Sequence, residues 1–247
     1  MQKQSRLFFD INGERREENY KDFLTTERRI QFKEMLRDIA AYGDYSTDFF
    51  PSISDMFRFM DVPVKDIKCV FLGMEPYPSW TTAENGTIIP EATGRSFEVR
   101  SVTDWSQKFK QSSMRNILKS LYYLHTNSKD DLNVVRNKIV SGEFPISQPP
   151  KWFDEMEKQG VVFLNAALTV QRGHPNTHQH IWEPFMTDLI EYINETNPDI
   201  KWILAGNQAQ ERAAHLVNHS VKVHHPRLDS FVTECPFKFV EEIHWIE

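Results

Sequence analysis

The sequence predicts an α/β fold, a central four-stranded parallel sheet flanked by helices on both sides. Four short apolar runs, Ile67–Leu72, Val161–Leu164, Trp202–Leu204 and Val221–Val223, have the brevity and β-branched content of strands buried on both faces. Segments with helical spacing separate them, among them Ser113–Leu124, Trp182–Ile193 and Ala209–Val217. Strands that alternate with helices need crossover connections, which gives a parallel sheet covered on two sides.

Taken in order, Met1–Asp22 reads as a short arm or a strand of its own. Glu27–Tyr42 reads as an amphipathic helix, with Phe32, Met35, Leu36, Ile39 and Ala40 on one stripe. Trp80–Gly94, rich in Thr, Gly and Glu, reads as a long loop, and Asp130–Pro150 holds another before Trp152. There is no internal repeat or low-complexity tract. One domain spanning residues 1–247 is expected, with an N-terminal arm and helices to about residue 46 and the core over about 47–245.

A chain of 247 residues, 40% hydrophobic and 26% charged, can bury one sizeable core. Met1–Tyr20 carries only a short apolar patch, Leu7–Phe9, which is no signal-peptide core. No run approaches the roughly 18 apolar residues of a membrane span, so a soluble, intracellular, cytoplasmic protein is expected. Cys69 and Cys235 read as reduced thiols rather than a disulfide framework. A net charge of -6 argues against a protein that coats nucleic acid. It leaves room for a local basic face, for which Lys108, Lys110, Arg115, Lys119, Arg172 and Arg227 are candidates.

Ligands of an open parallel sheet bind beyond the carboxyl ends of its strands. The residues there are Gly73-Met74-Glu75-Pro76-Tyr77-Pro78, Asn165-Ala166-Ala167-Leu168-Thr169, Ala205-Gly206-Asn207 and His224-His225-Pro226-Arg227-Leu228. One acid, one amide and one histidine thus converge on one sheet edge, equipment for recognising a polar ring and assisting attack by water.

These residues resemble the uracil-DNA glycosylase family, closest to its family 1 members. Gly73–Pro78 matches that family's Gly-Gln-Asp-Pro-Tyr-His motif, and Leu164–Val170 its Leu-Asn-Ala-Val-Leu-Thr-Val motif. His225-Pro226-Arg227-Leu228 corresponds to a shortened His-Pro-Ser-Pro-Leu-Ser. Gly94–Phe97, Ser113–Ile117, Trp152–Gly160, Trp182–Phe185 and Gly206–Gln210 also match, collinearly, over Thr47–Trp245.

The resemblance implies a monofunctional hydrolase of base excision repair that flips uracil out of DNA and cleaves its N-glycosidic bond. It assigns the helix-filling wedge to Leu228, phosphate contacts to Ser113 and Ser230, and a place on the DNA path to Arg227. Phe97 would stack on the flipped ring, Asn165 bond its N3 and O4 edge, and Tyr77 exclude a C5 methyl group. His225 would donate to uracil O2, with backbone amides near Met74 and Glu75 assisting, and Glu75 would orient water and face the cationic sugar. No cofactor and no metal is implied. The expected partner is single- or double-stranded DNA bound by a monomer, with room for a DNA-mimicking protein inhibitor and none for a membrane.

Several positions depart from the family. Glu75 is one methylene longer than the usual aspartate, Met74 replaces Gln and Pro78 replaces His. The Glu75–Phe97 loop is longer than in typical members, and Ser101–Ser112 lacks the prolines of the family's DNA-contact loop. The alternative reading is therefore a catalytically impaired member acting as a DNA-binding or partner-binding module. His174, His178 and His180 lie close together but lack the cysteines or carboxylates to complete a metal shell, and read as polar loop histidines.

Overall fold

The computed structural model describes residues 16–44 and 47–246. The arm expected at the very N-terminus falls outside the described residues, except for a short helical turn at Arg16–Asn19. Four parallel strands form the central sheet: β1 (Cys69–Gly73), β2 (Val161–Asn165), β3 (Lys201–Ala205) and β4 (His219–Val223), in the order β2-β1-β3-β4. The helices are α1 (Thr26–Ala40), α2 (Ser112–Thr126), α3 (Leu132–Val140), α4 (Pro149–Lys158), α5 (Gln179–Thr196), α6 (Asn207–Ala213) and α7 (Ser230–Glu234).

Alternation along each strand divides the core into two layers, because successive side chains leave a strand on opposite faces. Val70 and Leu72, Val162 and Leu164, and Trp202 and Leu204 pack on one side with Phe32 and Ile39 of α1, Trp182 and Leu189 of α5, and Ala209 of α6. Cys69 and Phe71, Val161 and Phe163, and Ile203 and Ala205 pack on the other with Met114 and Leu121 of α2, Trp152 of α4 and Phe231 of α7. The predicted helix-covered parallel sheet is thus the observed one. Both cysteines are buried and free, as read from the sequence.

Three readings are corrected. The loop expected over Asp130–Pro150 contains α3, of whose five apolar residues only Val135 is fully buried. The loop expected over Trp80–Gly94 contains an antiparallel pairing of Trp80–Thr82 with Ile88–Pro90, built on residues without a buried face. Trp80 is 43% exposed, and the Arg172 guanidinium lies 5.4 Å from its ring centroid. Finally, β4 exposes His219 and Lys222 and fully buries only Val223, so the doubly buried pattern expected of it fails.

One buried ion cluster ties the sheet to its covering segment. The Arg95 guanidinium, 3% exposed, bonds Glu98, Asp154 and Glu157. Ser96 beside it donates from its backbone to Phe163 of β2 (3.1 Å) and from its hydroxyl to the carbonyl of Phe71 on β1 (3.0 Å). Removing a buried cation strands its carboxylates without compensation, so Arg95→Met is expected to cost roughly 3–5 kcal/mol in urea denaturation.

Candidate active site

The four strands end at one level. Gly73 of β1 pairs with Asn165 of β2, Leu72 with Leu204 of β3, and Ala205 with Val223 of β4. The segments that follow them therefore open side by side around a cleft of about 680 Å³. Met74, Glu75, Tyr77, Phe97, Ser113, Asn165, His225, Arg227 and Leu228 all line it. Of the residues predicted for the site only Ser230 stands apart, exposed at the start of α7.

Gly73 forms a crowded part of the wall. A Cβ there would lie 3.0 Å from Phe97 and 3.1 Å from the side-chain oxygen of Asn165, so a larger residue would push both back by a few tenths of an ångström. Two backbone bonds lock the turns after β1 and β2 together, Ala166 donating to Gly73 and Ala167 to Met74, each at 3.0 Å. Asn165 is buried, and its carboxamide makes no hydrogen bond among the described residues, which leaves a donor and an acceptor for a ligand. Phe97 holds a left-handed backbone conformation, φ 67°, unusual for a bulky residue and costing of order 1–3 kcal/mol. The anchoring of Arg95 and Ser96 just before it maintains that conformation. Its ring lies 4.6 Å from that of Phe71 and meets His225 edge-on at 6.1 Å. The Tyr77 hydroxyl is buried beside Ser113 without a well-aligned partner among the described residues.

The backbone N–H of Arg227 donates to His225 Nδ1 at 3.0 Å. Nδ1 must then carry a lone pair, which places the proton of the neutral ring on Nε2. Burial, reinforced by the Arg227 charge, holds the imidazole down at about 4, so it is neutral at physiological pH. Gly206 makes room for this ring: at φ 92° its missing Cβ would sit 3.0 Å from that of His225. The turn after His225 is fixed from α2, where buried Asn116 donates to the carbonyl of Pro226 at 2.8 Å and Lys119 pairs with Asp229. Leu228 projects from that turn 44% exposed, an apolar side chain left in solvent at the rim.

Glu75 is half-buried. Both of its carboxylate oxygens accept from the backbone N–H of Asn176, at 3.1 and 2.9 Å, and one also accepts from Gln179 Nε2 at 3.3 Å. Burial pushes its carboxyl above the usual range, and these two donors pull it back. Asn176 and Gln179 were not singled out from the sequence, and Asn116 and Gln208 fell inside matched stretches without being given a role. The available signal was weak: an Asn after a proline, in the short link between the Asn165 motif and α5. His178, one of the three clustered histidines, is buried, with Nδ1 2.9 Å from the Thr169 hydroxyl and its ring edge-on to Phe49. It braces the fold. Of the basic-face candidates, Lys119 and Arg172 are paired, with Asp229 and Asp48.

The fold is thus a parallel α/β sheet that gathers an amide, a carboxylate and a neutral histidine around one cleft at its carboxyl edge. No protein-family model matches the chain. The uracil-DNA glycosylase of Agathobacter rectalis is 32% identical over 191 residues, 74% of this chain and 70% of that protein. The chain belongs to the uracil-DNA glycosylase family. The crystal structure of UNG from Nitratifractor salsuginis shares the fold with a TM-score of 0.69 at 18% identity, over 96% of this chain and 92% of that one. A mimivirus UNG variant in complex with UGI does so with a TM-score of 0.64 at 22% identity, over 89% and 71% of the two chains. No helix among the described residues is long and apolar enough to cross a membrane.

Two measurements check this geometry. Gly206→Ala should displace His225 and raise its NMR titration midpoint from about 4 as the ring becomes more exposed. His225 and His178 are both held down to about 4, each mainly by burial, so the unfolded chain takes up protons there that the fold refuses. Their contribution to stability is complete above the unfolded value of about 6.5 and is lost as pH falls from there through about 4, which a series of urea melts should trace.

Proposed function

We propose that the cleft removes uracil from DNA by hydrolysing the N-glycosidic bond of a flipped-out nucleotide, leaving an abasic site, and that each lining residue acts as follows. One observation carries the reading: a single cleft joins Phe97, Asn165, Glu75 and His225, with an exposed leucine at its mouth. Leu228 enters the stack from which the base is extruded, and Ser113, Arg227 and Ser230 take the backbone. Phe97 stacks on the ring. Asn165 presents its donor and acceptor to the N3 and O4 edge, so cytosine would leave buried groups unpaired. Tyr77 stands against C5.

When the bond breaks, its electron pair leaves with the base and positive charge develops on the sugar. His225 Nε2–H, neutral and aimed by the Arg227 amide, donates to the developing oxyanion at O2, with backbone amides near Met74 and Glu75 assisting. Glu75 faces the cationic sugar and orients the water whose oxygen bonds to C1′, and the proton that this water loses neutralises the departed uracil anion. No step calls for a metal or cofactor. We read the chain as one catalytic domain, active as a monomer on single- or double-stranded DNA. A DNA-mimicking protein inhibitor would compete with DNA for the same cleft; the mimivirus UNG variant is in complex with UGI.

Single-turnover assays on uracil-bearing oligonucleotides, single and double stranded, test this reading, with hypoxanthine and xanthine substrates as comparison. Wild type should generate abasic sites at uracil, and His225→Ala should slow this roughly 10²–10³-fold. Asn165→Ala should lose both rate and the preference for uracil over cytosine. Tight binding without cleavage at enzyme excess would instead identify a DNA-binding module.

A further inference from the structure

The departure at Glu75 comes with its own support. A glutamate reaches one methylene further than an aspartate and has one more rotatable bond, so a productive position needs more anchoring. The structure supplies it from a segment 101 residues away in sequence. Asn176 adopts the left-handed conformation, φ 67°, which asparagine tolerates better than most residues and which turns its N–H onto both carboxylate oxygens. That turn is held in place because Thr177 Oγ1 accepts from the backbone of Gln171 at 2.9 Å and donates to the carbonyl of His174 at 3.1 Å. Gln179 Nε2 lies within 3.3 Å of Glu75, 2.9 Å of Asn176 Oδ1 and 3.2 Å of Gln208 Oε1. Two N–H bonds shared among three acceptors hold this amide between the Glu75 turn, the Asn176 turn and α6.

We infer that Gln179, together with the Asn176 amide, is a positioning residue that fixes the Glu75 carboxylate for its part in the reaction proposed above. The inference rests on that reading for its catalytic consequence, but not for the contact itself. The anchoring groups are neutral amides, so they select the carboxylate form by hydrogen bonding rather than by charge. Tyr77, His224, His225 and Arg227 are the ionisable or charged side chains that share the cleft with Glu75. None of them adds to the effects of burial, Asn176 and Gln179 on its ionisation.

The test follows the Glu75 carboxyl by carbon-detected NMR titration in the free protein, alongside the pH dependence of single-turnover uracil release. Wild type, Gln179→Ala, Gln179→Lys and Gln208→Ala are compared, with Glu75→Gln to assign the signal. Gln179→Ala should raise the carboxyl midpoint, move the acid limb of the rate profile upward with it, and lower kcat roughly 10- to 100-fold with little change in KM. Gln179→Lys keeps a donor and should bring the midpoint back to or below that of wild type. Gln208→Ala should shift it upward by less, and it decides the matter if Gln179→Ala does not fold. A carboxyl midpoint and acid limb unmoved by these changes, or an effect on KM alone, would overturn the inference. If wild type releases no uracil, the glycosylase reading falls while the NMR titration still decides whether Gln179 holds Glu75.

Discussion

Everything in the site depends on the parallel register of the sheet. Because Gly73 lies opposite Asn165, Leu72 opposite Leu204 and Ala205 opposite Val223, the strands release their chains at one height. A slip of β2 by one residue against β1 would turn Phe163 into the layer occupied by Val162 and Leu164 and drive those two into the other layer. Core packing therefore specifies the register, and the register delivers the acid, the amide and the histidine to a common edge. The chemistry is short-range, but its accuracy comes from some of the most apolar strands of the molecule.

A second layer of restraint corrects what the sheet alone would leave loose. The ring of Phe97 is presented by a backbone conformation that costs energy, and the segment before it is held by the Arg95 carboxylate cluster and by the bonds of Ser96 to two strands. The His225 turn is likewise held from outside, by Asn116 and Lys119 of α2. Strain and restraint occur together here: positions unfavourable in isolation persist because neighbouring polar contacts over-determine them.

The strands were legible because β1, β2 and β3 are buried on both faces and their sequences are nearly unbroken apolar runs. β4 was only partly legible, since His219 and Lys222 are exposed and Ser220 is half-buried, so its sequence lacks the unbroken apolar run of the other three strands. α3 and the Trp80 pairing were hidden for a related reason: they bury little, and hydrophobic spacing reports burial rather than conformation. Glu75, Asn165 and His225 could be found because each lies at the carboxyl end of a strand or within two residues of it. Asn176 and Gln179 could not, because what matters in them is a contact between distant segments, and amides of their kind occur on any surface.

The pairing of Asp229 has an effect that reaches beyond the loop it stabilises. Lys119 and Lys129 both lie 2.8 Å from this carboxylate, and their hydrogen bonds hold it down at about 2, so it stays ionised wherever the protein works. An anion beside the Leu228 turn would repel a phosphate chain, but the two ammonium groups outweigh the single carboxylate and leave the cluster with one net positive charge. Because one of the two cations is already neutralised within the protein, the dependence of binding on ionic strength would be shallower than a count of both lysines implies.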